Sequence, residues 1–152
     1  MYDARARPLV SAWKERGRRD LAAALALLVV EVVARPGVDG LTYVPGDRER
    51  GRDRSHVPAA RLAEALGGLW EIPVEPLLER TSPAPRQASL PRGERLDNVR
   101  AAFRASGVPP SPDVALVDDV YTTGATASAC ARVLRRAGAS RVEVVCLARA
   151  VR

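Results

Sequence analysis

With 152 residues, 47% of them hydrophobic, the chain can bury one compact core, and a charged fraction of 28%, ordinary for a globular protein, argues against overall disorder. Basic residues outnumber acidic ones 24 to 18, a formal charge of +6, and Lys14 is the single lysine. Guanidinium groups match phosphate oxygens with a planar fork and stay charged at every accessible pH, so phosphorylated metabolites and nucleic acid are the partner classes that fit. An arginine bias in the coding sequence would also favour Arg over Lys, but it leaves the net charge in place.

Met1 to Pro8 carries charge without a following signal core, and the longest apolar stretch, Leu21 to Val30, falls short of the ~20 residues a membrane span needs. A cytoplasmic protein with no membrane span is expected. From Leu9 to Ala34 alanine and leucine dominate around a polar break at Glu15 to Asp20, which predicts two helices, the second ended by Pro36 and Gly37. Gly40 to Pro45 predicts a short buried strand stopped by proline, and Gly46 to His56 a charged loop. Leu62, Ala63 and Leu66 give Pro58 to Leu66 one apolar helical face, with Gly67-Gly68 as the stop signal, and a strand is expected over Trp70 to Val74.

Pro76, Pro83, Pro85 and Pro91 mark residues of about 75–95 as a long excursion, a flexible loop or arm. A short helix or turn around Asn98 to Phe103 and the linker Pro109-Pro110-Ser111-Pro112 follow. The pattern then sharpens. Val114 to Val117 is an apolar run of buried-strand length, Ala125 to Ala137 a helix closed by Gly138, and Val142 to Ala148 a β-branched strand. Together they form a βαβ unit within one domain spanning residues 1–152. Cys130 and Cys146, far apart and with only His56 as an imidazole, are expected to pack as small apolar side chains with no zinc site.

The segment joining this strand to this helix reads Asp118-Asp119-Val120-Tyr121-Thr122-Thr123-Gly124-Ala125-Thr126. Ligands of open α/β sheets sit outside the carboxyl ends of the strands, where this segment must lie. Gly124 permits a tight turn, so that N–H groups from Thr123 to Thr126 converge at a helix N-terminus, an anion site to which the three threonine hydroxyls add neutral donors. Two carboxylates beside a phosphate would repel it. They suit the adjacent hydroxyls of a ribose instead, and Mg²⁺ held indirectly through water or those hydroxyls.

An aliphatic run, two acids and Thr-Thr-Gly-Ala-Thr resemble the phosphoribosyl-pyrophosphate signature of type I phosphoribosyltransferases. The resemblance implies an α/β fold, a parallel sheet flanked by helices with a mobile arm. It also implies binding of phosphoribosyl pyrophosphate with magnesium and transfer of the phosphoribosyl group to a nitrogen acceptor. Asp118 and Asp119 would take the ribose hydroxyls, and Thr122 to Thr126 the 5′-phosphate. Family members often carry a carboxylate near position 122 that assists the base, where this chain has Thr122.

Leu9 to Lys14, Tyr43-Val44-Pro45, Arg80-Thr81 with Gln87, and Arg95-x-x-Asn98-Val99-x-x-Ala102-Phe103 are similar to the competence protein F (ComF) branch of the class. That branch implies a role in DNA uptake, with single-stranded DNA as a partner; its members usually carry an N-terminal zinc module and an Arg-Gly-aromatic-Asn-Gln stretch, neither of which is intact here. By position Pro45, Gly46, Asp47 and Arg48 would form the pyrophosphate loop and Thr81 to Arg95 the closing arm, with Arg86, Arg92 and Arg95 as clamps and Arg95 as a candidate catalytic group. A homo-oligomer is compatible with the class.

Rival readings fit less well. An aliphatic strand ending in aspartates also occurs in phosphate-loop NTPases, but no Gly-x-x-x-x-Gly-Lys segment exists here. Helix capping alone would account for the threonines without a ligand. Tyr121 is open to two roles, stacking on a base or covering the loop.

Overall fold

A computed structural model describes residues 21–46, 57–81, 102–109 and 111–149. The helix expected within residues 9–20, the loop 47–56 and the arm from 82 to 95 lie outside them, and with them Asp47, Arg48, Arg86, Arg92, Arg95 and Asn98.

The described elements are α1 (Leu21–Val30), β1 (Gly40–Tyr43), α2 (Pro58–Trp70), β2 (Leu78–Arg80), β3 (Phe103–Ala105), β4 (Asp113–Tyr121), α3 (Ala125–Arg136) and β5 (Arg141–Arg149). β4 is the middle strand of a parallel sheet ordered β1-β4-β5, in register from Gly40 with Val114 and from Asp113 with Arg141. Val114 to Val117 are wholly buried, as a parallel strand covered on both faces requires. Alternate side chains divide between the two sides. Ala115 and Val117 join Val145 and the inner faces of α1 and α2, whereas Val114 and Leu116 pack with Ala127, Cys130 and Leu134 of α3 and with Leu78 and Phe103 of the small sheet.

α1 buries Ala22, Leu25, Ala26 and Val29, one helical face of a segment that is apolar all round. It ends earlier than Ala34, and Val29 O is shared there between the Val32 N–H at 3.1 Å, a three-residue turn, and the Val33 N–H at 2.8 Å.

α2 runs past the expected stop at Gly67-Gly68 to Trp70, and Glu71 closes it in the left-handed region at φ 55°. Gly67 serves close approach, not termination. A Cβ there would lie 2.5 Å from Val74 Cγ2 and 2.8 Å from Ile72 O. Running on to Trp70 buries the indole, and Arg35 Nε donates to Trp70 O at 2.9 Å, satisfying a terminal carbonyl. The strand expected over Trp70 to Val74 therefore shrinks to one parallel bridge, Val74 with Leu41.

Two further expectations are corrected. Within the excursion placed at about 75–95, Leu78–Arg80 is a strand, paired antiparallel with Phe103–Ala105, so that Phe103 is also strand and not helix. The cause is long-range: Leu77 N donates to the buried Thr42 Oγ1 at 3.2 Å and Thr81 N to Ala102 O at 2.8 Å, and no local period announces either bond. β4 likewise extends four residues beyond Val117, because β5 pairs with it as far as Tyr121 with Arg149. Asp118 to Tyr121 are strand and not loop.

Candidate functional site

The carboxyl ends of β1 and β4 open onto a cavity of about 300 Å³. β1 is held beside β4 past its last ladder pair, since Val44 N donates to Val117 O at 3.0 Å, and this carries Pro45 and Gly46 to the cavity rim. Val57, Pro58 and Ala59 at the start of α2 form the wall behind them, Thr126 in the first turn of α3 comes from the side, and Arg80 enters from β2.

Asp118 and Asp119 both line this cavity but differ in setting, Asp118 being buried and Asp119 half-buried. Each accepts a hydrogen bond from the next backbone N–H, Asp119 N to Asp118 Oδ1 at 2.8 Å and Val120 N to Asp119 Oδ1 at 2.7 Å. These bonds fix the carboxylates against the strand end. The negative charge of Asp118 reaches two thiols. Burial, and after it the charge of Asp118, push Cys130 up to about 12, with Arg80 opposing the rise. Cys146 is likewise raised, first by burial, then by Asp118. Arg80 thus acts on the same pocket of space as Asp118, and its guanidinium lies 5.1 Å from the Phe103 ring centroid, a cation–π contact that braces it.

The turn into α3 is built on Gly124, whose φ of 74° is left-handed. A Cβ there would fall on the Tyr121 hydroxyl and 2.5 Å from its Cζ, so the ring packs flush against the glycine. Tyr121 is accordingly a support of the turn, and Arg149 stands over its other side with 5.8 Å between guanidinium and ring centroid. The Ser128 N–H to Gly124 O bond at 2.8 Å opens the helix, and Ala125 N donates to Thr123 Oγ1 at 3.4 Å. The first turn of any α-helix presents N–H groups with no carbonyl inside the helix to take them, and its dipole is positive there.

Of the residues expected at the site, Pro45, Gly46, Asp118, Asp119, Val120 and Thr126 are brought together around one cavity. Tyr121, Thr122, Thr123, Gly124 and Ala125 form the turn at its edge, with the side chains of Thr122 and Thr123 exposed. Sequence reasoning missed Arg80 as a site residue. The similarity around Arg80-Thr81 was the available signal, but only the β2–β3 pairing shows which way that segment goes.

Among the described residues no group of three or more His, Cys, Asp or Glu side chains forms a metal cage. Two adjacent carboxylates at a cavity wall do fit Mg²⁺, which dehydrates reluctantly and is commonly held by one or two carboxylates plus water and ligand oxygens. No helix among the described residues is long and apolar enough to cross a membrane.

No protein-family model matches the chain. It is 34% identical over 93% of its length to the DNA utilization protein YhgH of Salmonella typhi and 32% identical to that of Escherichia coli K12, and it spans 66% of the length of each. It is also 34% identical to the competence protein ComFC of Streptococcus pneumoniae, across 70% of this chain and 46% of that one. Among solved structures, the glutamine phosphoribosylpyrophosphate amidotransferase of B. subtilis superposes with a TM-score of 0.59 at 23% identity, over 85% of this chain and 26% of that one. A structure described as the allosteric regulatory enzyme of purine biosynthesis gives 0.54 at 28% identity, with the same coverage of 85% and 26%. A parallel sheet with its cavity at the strand ends, and relatives of this similarity along nearly the whole chain, make the protein a member of the ComF-like branch of type I phosphoribosyltransferase-fold proteins.

Proposed function

We propose that the cavity binds phosphoribosyl pyrophosphate and that the protein transfers its phosphoribosyl group to a nitrogen acceptor. One observation carries this reading: the two carboxylates, Thr126 at a helix N-terminus, the Pro45–Gly46 segment and Arg80 all face a single cavity at the carboxyl ends of parallel strands. Each supplies one part of the ligand's chemistry. Asp118 and Asp119 accept hydrogen bonds from the ribose diol, and the Gly124 turn with Thr122, Thr123 and Thr126 holds the 5′-phosphate. The backbone at Pro45 and Gly46, with Asp47 and Arg48 after it, borders the pyrophosphate, and Arg80 meets its charge.

In the reaction the acceptor nitrogen forms a bond to the anomeric carbon as the bond from that carbon to the pyrophosphate oxygen breaks. The oxygen keeps the electron pair, and the nitrogen loses its proton to solvent or a base. Arg80, and Arg95 from the segment beyond, stabilise charge developing on the departing pyrophosphate. Magnesium, bound through Asp118, Asp119 and ligand oxygens, would supply further neutralisation of that charge.

The test is ligand-induced stabilisation. Phosphoribosyl pyrophosphate with Mg²⁺ at 100 times its Kd should stabilise the protein by about 2.7 kcal/mol and raise Tm accordingly. The double variant Asp118→Asn, Asp119→Asn should abolish the rise, and an undiminished rise in that variant refutes the pocket assignment.

A second reading is favoured by the names of the relatives, DNA utilization protein and competence protein. On this reading the same pocket senses the ligand without turnover and the chain binds single-stranded DNA. Pyrophosphate release in a screen of nitrogen acceptors separates the two, since only the transferase produces it.

A further inference from the structure

We propose that the outer face of α3 is a second phosphate-binding surface, separate from the ribose-phosphate cavity, and that it holds the backbone of a single-stranded nucleic acid. The inference rests on the DNA-binding reading above and gives it a location.

Ala129, Arg132, Val133 and Arg136 line a cavity of about 240 Å³. Their spacing of three, four and seven residues is one helical stripe, and Arg135 borders it. All three arginines are exposed, and none has an acidic partner among the described residues. Other described arginines are engaged: Arg61 with Glu64, Arg104 with Glu79, Arg141 with Asp113 and Glu143, and Arg35 with the Trp70 carbonyl.

Cations in a last helical turn interact favourably with the helix dipole, which accounts for Arg135 and Arg136. It does not account for Arg132, one turn earlier. Three like charges at this spacing repel one another unless a counter-charge lies between them. A chain of phosphates is such a counter-charge. Arg132 and Arg136 stand ~6 Å apart along the axis, a separation that suits successive phosphates of an extended strand. Between them the floor is the half-buried Val133, with Ala129 buried one turn before it, and guanidinium planes stack on bases as readily as they pair with phosphate. A floor for a flat base under a rim for phosphates favours a nucleic acid over an acidic peptide or a lipid surface. The stripe also leads away from the first cavity, since Arg136 lies ~16 Å along the axis from Ala125, so both sites can be filled at once.

The experiment compares two variants that remove equal charge. Arg132→Gln with Arg136→Gln should weaken binding of a labelled oligothymidylate about tenfold at low salt and reduce the slope of log K against log salt by about 1.4, as expected for two lost phosphate contacts on a single strand. Arg61→Gln with Arg104→Gln should change both little. The Tm rise given by phosphoribosyl pyrophosphate should survive in both variants, which also shows that they are folded. Equal losses in the two variants, or none in the first, overturn the location while the DNA-binding reading stands. Absence of oligonucleotide binding by the unaltered protein overturns that reading and this inference with it. Binding to phosphatidylserine vesicles, lost in the first variant while oligonucleotide binding is kept, assigns the stripe to a membrane surface and also overturns it.

Discussion

Gly124→Ala tests whether the turn into α3 is built as described, because two separable costs meet at that residue. The first is conformational. At φ 74° an alanine is held in the left-handed region, which costs about 1–2 kcal/mol. The second is steric. The new Cβ would lie 2.5 Å from Tyr121 Cζ, and the ring packs against the core formed by α3 and the small sheet, so it cannot withdraw without losing contacts. Overpacking of this kind costs about 1–3 kcal/mol. Together they predict a loss of about 2–5 kcal/mol, a fall in Tm of roughly 4–20 °C for a chain of this size. Thermal unfolding followed by circular dichroism measures it. Tyr121→Ala in the same background should return the steric part only, so a double-mutant cycle should show a favourable coupling while the conformational cost remains. The Gly124→Ala protein should also lose the stabilisation given by phosphoribosyl pyrophosphate at temperatures where it is still folded, because the N–H groups no longer converge. An unchanged Tm in Gly124→Ala, or no coupling with Tyr121→Ala, refutes the account of the turn.

Two further predictions concern the scaffold. Gly67→Ala should destabilise by about 1–3 kcal/mol, because Val74 Cγ2 can rotate away from the new methyl but Ile72 O at 2.8 Å is backbone; a lowered urea midpoint with unchanged m measures it, and an unaltered midpoint contradicts the close packing of α2 on the Val74 segment. Cys130, whose pKa burial and the charge of Asp118 push up to about 12 from an ordinary value of 9.0, keeps its proton in the folded chain where the unfolded chain has lost it. Its contribution is therefore complete below pH 9.0 and declines as pH rises toward 12, by about 1.4 kcal/mol per pH unit between them. Urea titrations across that range should show one proton's slope more in the parent than in Cys130→Ala; identical slopes would mean the thiol is not held protonated.

The β4–α3–β5 unit was legible because each signal is local: an unbroken apolar run, a glycine turn, a helical face and a β-branched run follow one another without a long gap. Its limits were not. Asp118-Asp119 interrupts the apolar run and hides the strand character of Val120-Tyr121, and the four residues are extended because β5 is long enough to pair with them. Gly67-Gly68 misled for the opposite reason. Glycine marks both helix ends and close contacts, and the contact with Val74 is decided by tertiary packing. Arg80 was hidden at a further remove, since its place in the cavity depends on pairing with residues more than twenty positions away. The half of the cavity at the end of β4 is thus written in one segment, whereas the other half is assembled from β1, α2 and β2.

Placing the acidic pair on a strand instead of a loop changes what it can do. Consecutive strand residues point to opposite faces, so Asp118 and Asp119 cannot act as one equivalent pair of carboxylates. Asp118 follows Val114 and Leu116 onto the α3 side, where its charge reaches Cys130 and Cys146, and Asp119 follows Ala115 and Val117 toward the side of α1 and α2. Both nevertheless line the cavity, which lies where β1 has ended opposite Val117 and no longer covers that edge of β4. A vicinal diol seated over the strand end would then be held by one carboxylate from each side, fixing the orientation of the sugar ring as well as its position. A loop could present two carboxylates side by side, but not from opposite faces of a strand that β5 holds extended through this stretch.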